Sequence, residues 1–393
     1  MANVLQVAEK VFPTRSRGEA GGSCDPLLLP SFSRREWRQV IEVPSAPPPL
    51  SKDEPLPVDR LIWRALVASA VAASLSLFLF KAPVAAAMDE ARLEYAERSR
   101  LIQHSLLLGV AASGNHIVAV GDRGHVLLSV DHADSWIQVL VPTRSMLTAV
   151  RFVEGGLRGW AVGHDAVILH TADGGKSWIR QHWDPGLEQP LFDVWFEDSN
   201  YGMAIGAYGL FLETKDGGET WRQRAIDEDE PHFYLFTRSP AGVLYIVGEF
   251  GSIYRSEDVG RNWIKLPSPY EGSFFGALAL ADESVLAFGL RGNLYRSDDK
   301  GMSWEKLESG TTAGLFNGVV TKDGSIVLVG QSGVMSISRD RGKTFIASNV
   351  GNRDSLSGVW EVEGRRLLLV GEGGVRLIEK HPGLNTKRTG DDS

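Results

Sequence analysis

A short pattern recurs six times along this chain and narrows what it can fold into. It runs Ser or Thr, then Asp two residues on, a small residue, a hydroxyl or amide side chain, and an aromatic ring. The copies begin at Ser129, Thr171, Thr214, Ser256, Ser297 and Ser338, and their aspartates are Asp131, Asp173, Asp216, Asp258, Asp299 and Asp340. The closing rings Trp136, Trp178, Trp221, Trp263, Trp304 and Phe345 lie 42, 43, 42, 41 and 41 residues apart. A period of that length marks a repeat fold with one small sheet per unit.

A second motif keeps step with the first. An apolar residue precedes Gly, two variable residues and usually a second Gly, beginning at Gly121, Gly163, Gly206, Gly248, Gly289, Gly330 and Gly371. Each unit reads as four short strands. In the second unit, Leu147 to Val153 alternates as a half-buried strand does. Gly159 to Val162, Val167 to Thr171 and Trp178 to His182 follow. The Asp box falls in the turn between strands three and four. Its Asp can accept backbone N–H bonds there, its Gly can take a positive φ, and its ring is buried.

Sheets of this kind stack radially and close a ring. The fold expected is all-β, a seven-bladed β-propeller, with a six-bladed ring and a loose seventh unit as the alternative. The last unit, from about Leu356 to Lys380, ends before an aromatic box of its own. Residues from about Leu101 to Leu108 are therefore expected to supply its missing outer strand, as a velcro closure between the chain's two ends.

The first 87 residues differ in kind. Nine of the 18 prolines lie in residues 1–60, a stretch without hydrophobic periodicity that reads as a disordered leader. Residues 61–87 read as a signal peptide or membrane anchor: Arg60 and Arg64, an apolar run from Ala65 to Phe80, then Ala85 to Ala87. That run is short for a bilayer core, which favours a cleaved signal over a retained anchor. Translation starting near Val58 or Leu61 would account for the long leader. The propeller is assigned to residues 88–393, expected to be exported. The single cysteine, Cys24, lies in the leader, so the exported part has no thiol. A net charge of −8 with scattered basic residues gives no reason to expect nucleic acid.

No nucleophile elbow or metal-binding HExxH helix is present. Catalytic residues, cofactor and metal are all assigned as none. Two clusters hold a weaker metal alternative: His125 with Asp131, His132 and Asp134, and the acidic stretch Asp227 to Glu230 before His232, which could suit calcium.

The glycine hairpins and the links between blades share one face of such a ring, and the Asp boxes occupy the other. The variable hairpin residues include Arg123, His164, Asp165, Tyr208, Phe250, Leu290 and Arg291. The links add Arg144, Trp183, Tyr270, Phe274, Phe275 and Phe316. Exposed rings mixed with arginine have the composition of an interface core. Partner binding is assigned to Arg123, Arg144, His164, Asp165, Tyr208, Phe250, Phe275 and Arg291.

The boxes match the BNR, or Asp-box, repeat. Joined to hairpins such as Gly159-Trp160-Ala161-Val162-Gly163, they make residues 101–380 resemble the photosystem II stability and assembly factor family. That resemblance implies a non-enzymatic propeller, in the periplasm or, in a photosynthetic cell, the thylakoid lumen, that assists assembly of a membrane complex by binding a membrane-protein client; a monomer is expected. The family's arginine-rich client patch has no dense counterpart here; Arg123, Arg144 and Arg291 are the candidates. The alternatives are a carbohydrate-binding propeller and a sialidase-like glycoside hydrolase, the latter without the Phe-Arg-Ile-Pro motif of that family.

Overall fold

A computed structural model describes residues 94–378 apart from 154, 364 and 365. The leader 1–60 and the segment 61–87 lie outside the described residues. No helix among the described residues is long and apolar enough to cross a membrane.

Seven antiparallel sheets follow one another along the chain, each with its strands in sequence order. The first strands are Leu107–Ser113, Leu147–Phe152, Leu191–Phe196, Phe233–Arg238, Phe274–Ala279, Leu315–Val320 and Leu356–Val362. Each touches the first strand of the blades on either side, and the last touches the first, so these strands form the closed inner wall of a seven-bladed ring. The second strands are the most apolar, as in Leu244–Gly248 and Ile326–Gly330, where every residue is buried. A sheet packed on both faces needs such a continuous run.

Blades 1 to 6 are pinned at the same two turns, and blade 7 shares only the glycine hairpin. In the Asp boxes the Ser or Thr hydroxyl donates to the aspartate Oδ1 at 2.8 Å in all six copies. The same Oδ1 accepts the amide four residues on, at 2.8–2.9 Å. Oδ2 accepts that residue's side chain at 2.5–2.6 Å. The box glycines take φ from 80° to 90°, and Ala133 at φ 72° replaces the glycine of the first copy.

The first glycine of each hairpin serves a different purpose. Its φ is extended, for example −175° at Gly330, so conformational freedom is not what it supplies. A Cβ there would overlap the carbonyl just before the blade's first strand: that of Leu106 at Gly121, of His232 at Gly248, of Gly314 at Gly330. The amide after the glycine donates to that same carbonyl, as in Asp122 to Leu106 at 3.0 Å and Gln331 to Gly314 at 2.8 Å.

The closure differs from the expected one. Among the described residues the seventh blade has three strands, Leu356–Val362, Arg366–Gly371 and Gly374–Ile378. Residues 101–108 do not add a fourth. Ile102–His104 makes a 3-10 turn, and Leu107 already opens the inner strand of blade 1. The turn lies against Gly374, where any side chain would overlap the Gln103 carbonyl, and buries Ile102 with Leu107 and Val370. Side chains complete the seam: Arg366 Nη1 meets Asp134 Oδ1 at 2.7 Å, and Trp136 and Val375 pack on one cluster of Ile117, Ala133, Val362 and Leu368.

Candidate functional site

Strand direction puts the start of each inner strand beside the glycine hairpin, since Leu107 pairs with Gly121 and Leu356 with Gly371. The ladder slips at the second residue of the inner strand in all seven blades. Such a bulge re-aims one side chain and sharpens the local twist. The residues in the slipped position are Leu108, Thr148, Phe192, Tyr234, Phe275, Phe316 and Ser357. Blades 3 to 6 thus supply four rings, and blades 7, 1 and 2 supply none.

Those rings touch in series. Centroid separations are 5.5 Å for Phe192–Tyr234, 5.4 Å for Tyr234–Phe275 and 5.6 Å for Phe275–Phe316. Phe192 and Tyr234 are buried; Phe275 and Phe316 are half-buried. His232 extends the arc to the rim: its Nδ1 accepts the Tyr208 amide at 2.8 Å, and its ring stands edge-on to Tyr208 at 4.6 Å. The Glu249 carboxylate lies 3.7 Å from His232 Nε2, both groups being buried.

Above the arc stand the hairpin tips. Arg123, Asp165, Tyr208, Phe250, Arg291 and Ser332 all adopt φ between 52° and 58°. A residue with a Cβ pays about 1–2 kcal/mol for this left-handed conformation, a cost glycine avoids. Phe250 is 59 % exposed and Tyr208 40 %. Two large rings are therefore held outward in a strained backbone with solvent around them. A turn alone does not require this.

The other assigned residues divide. Arg123 is exposed, 3.4 Å from its neighbour Asp122. Arg144 is drawn to Glu97 at 3.2 Å and to Glu94 at 3.8 Å, acids that precede the first blade. Asp165 accepts from the Ser145 hydroxyl at 2.6 Å. His164 is half-buried, and burial lowers its pKa. Arg291 is exposed at its tip. Phe274 and Tyr270 belong to the packing between blades 4 and 5, because the bulge turns Phe274 inward and its neighbour Phe275 to the mouth.

Neither cluster with a metal alternative is arranged for an ion. Lys265 Nζ sits 2.7 Å from Asp227 and 3.3 Å from Asp229, where a bound cation would lie, and Tyr254 donates to Asp227. In the other cluster, Asp131 is spent on its box, His132 faces Glu363 at 3.1 Å, and Asp134 holds Arg366. Among the described residues no group of three or more His, Cys, Asp or Glu could hold a metal.

Ring, boxes and hairpins together define a seven-bladed Asp-box β-propeller. Residues 181–352 match the family described as photosynthesis system II assembly factor YCF48. Over that stretch the chain is similar to photosystem II assembly factors. It is 38 % identical over 129 residues to the photosystem II assembly lipoprotein Ycf48 of Picosynechococcus sp., covering 33 % of this chain and 38 % of that protein. The chain spans about two fifths of the length of the curated relatives it matches. A solved structure described as YCF48 bound to D1 peptide superposes with a TM-score of 0.58 at 21 % identity, over 72 % of this chain and 95 % of that one. A streptogramin B lyase superposes equally well, with a TM-score of 0.61 at 12 % identity, over 72 % and 97 %. At such identities the likeness concerns the ring alone.

Proposed function

We propose that this chain is a non-enzymatic assembly factor that holds a segment of a membrane-protein client on its hairpin face. It would act as an exported, membrane-associated monomer. The observation that carries the reading is the lopsided mouth: Tyr208 and Phe250 exposed in left-handed backbone, over a ring arc confined to blades 3 to 6. Rings presented in this way lose little side-chain entropy on contact and suit an interface. The relatives named as photosystem II assembly proteins support the assembly role, and the YCF48 structure with a D1 peptide supports capture of a peptide segment. The word lipoprotein in one relative's name supports membrane association.

The mechanism is capture and shielding. An immature client segment would lie across the mouth, its apolar side chains covered by the rings, until assembly buries them elsewhere. In-cell crosslinking followed by pull-down from solubilised membranes and mass spectrometry tests this. One stoichiometric membrane-protein partner, weakened by Phe250→Ser, is the expected result. Recovery of the propeller alone overturns the reading.

A further inference from the structure

The links around the aromatic arc are acidic, and beyond Asp227 and Asp229, which hold Lys265, several of their acids have no ion-pair partner. Asp184 and Glu188 lie in the link from blade 2 to blade 3, Glu228 and Glu230 in the next, and Glu271 in the one after. All five are exposed, and none has an ion-pair partner among the described residues. In the described tips and links of blades 3 to 5 the basic residues are Arg224 and Arg291. Arg224 is turned outward to the carbonyls of Gly260 and Arg261, which leaves Arg291. On the other side of the ring, Arg144 and Arg123 lie beside acids of this chain.

From this we infer that the segment held at the mouth is cationic as well as apolar: a peptide with Lys or Arg on either side of a short apolar stretch. The inference rests on the client-holding reading and specifies what that site accepts. Two physical effects point the same way. Carboxylates beside a low-dielectric aromatic surface attract cations and repel acidic chains more strongly than they would in open water. The faces of Tyr208 and Phe250 can also receive an ammonium or guanidinium group directly. The apolar stretch would lie on Phe275 and Phe316, and the basic flanks would reach Glu228, Glu230 and Glu271. An anionic segment would meet unpaired carboxylates with Arg291 to offset them, since Lys265 is already held by Asp227 and Asp229.

The test uses the full chain and three short labelled peptides with one shared apolar centre, flanked by Lys, by Gln or by Glu. Fluorescence anisotropy should rank them Lys, Gln, Glu, with roughly tenfold or more between the extremes at low salt, shrinking as salt rises. Phe250→Ser with Tyr208→Ser should weaken the Lys and Gln peptides alike. Glu228→Lys with Glu230→Lys should narrow or reverse the order while leaving the melting temperature in place, since both side chains are exposed. Equal binding of the three peptides, preference for the Glu peptide, or an order indifferent to the charge reversal overturns the inference. If such a result accompanies recovery of a membrane partner in the pull-down, the charge assignment alone fails. The expected ranking with no membrane partner recovered sinks the client reading instead.

Discussion

Asp193 grips Arg151 through two parallel bonds, Nε to Oδ1 at 3.0 Å and Nη2 to Oδ2 at 2.7 Å. The same carboxylate accepts the Phe236 amide at 2.8 Å, and Arg151 donates to the Phe236 carbonyl at 3.0 Å. Three consecutive inner strands are therefore tied at one point. Asp193→Ala would leave a guanidinium and a buried amide without their acceptor. Breaking such an arrangement costs about 3 kcal/mol. A fall in melting temperature of about 5 °C is expected for a domain of this size, and a change under about 2 °C would show that the tie is not structural.

Acid should unfold the ring through its boxes. Hydrogen bonds from Ser135, Thr220 and Ser303 side chains, and then from their amides, hold Asp131, Asp216 and Asp299 at about 2. Unfolded aspartate titrates near 3.9. A carboxylate lowered in the fold contributes its full stability above the unfolded value and loses it as pH falls through the folded one. Stability should thus drop between about pH 4 and pH 2. Chemical denaturation across that range should show it. Asp299→Asn should be less stable at neutral pH and should lose less on acidification.

Two glycines separate crowding from backbone strain. Gly330 has extended φ but no room, because a Cβ would strike the Gly314 carbonyl. Gly324 has φ 81° and nothing within 4 Å of the added carbon. Gly324→Ala should cost about 1 kcal/mol from conformation alone. Gly330→Ala must move the inner strand and should cost about 2–3 kcal/mol. Matched urea titrations would rank them, and the reverse order would refute the anchoring role given to Gly330.

At the tip of blade 4, function and stability should trade against each other. Phe250 occupies φ 53°, a region asparagine tolerates far better. Phe250→Asn is expected to stabilise the fold by about 0.5–1 kcal/mol while reducing client capture. A variant that melts lower, or captures as well as the parent, would remove Phe250 from the site.

The blade count was legible because turn chemistry is local. Each box needs its hydroxyl, Asp and glycine within a few residues, so the spacing of Asp173, Asp216 and Asp258 reads directly as blades. The mouth was only partly legible. Tyr208 and Phe250 stand in hairpins that the sequence marks. Phe192 and Tyr234 were missed because a bulge is a property of pairing, and Phe233-Tyr234-Leu235 looks like an ordinary buried run. The same slip explains why Phe274, adjacent to Phe275, is core. Arg144 looked available because its partners Glu94 and Glu97 lie almost fifty residues upstream, beyond any local pattern. The seam is not legible in the sequence, because a three-stranded last blade invites a borrowed strand, whereas Gly374 leaves space for a turn.

The glycine that admits the neighbouring carbonyl sits two positions before the tip residue, as Gly206 before Tyr208 and Gly248 before Phe250, and it bears the structural duty for that hairpin. Whatever stands at the tip can then be exchanged without renegotiating the blade beneath it. The mouth behaves as a keyboard of seven keys on a fixed frame, and a lineage can respell what it recognises one key at a time.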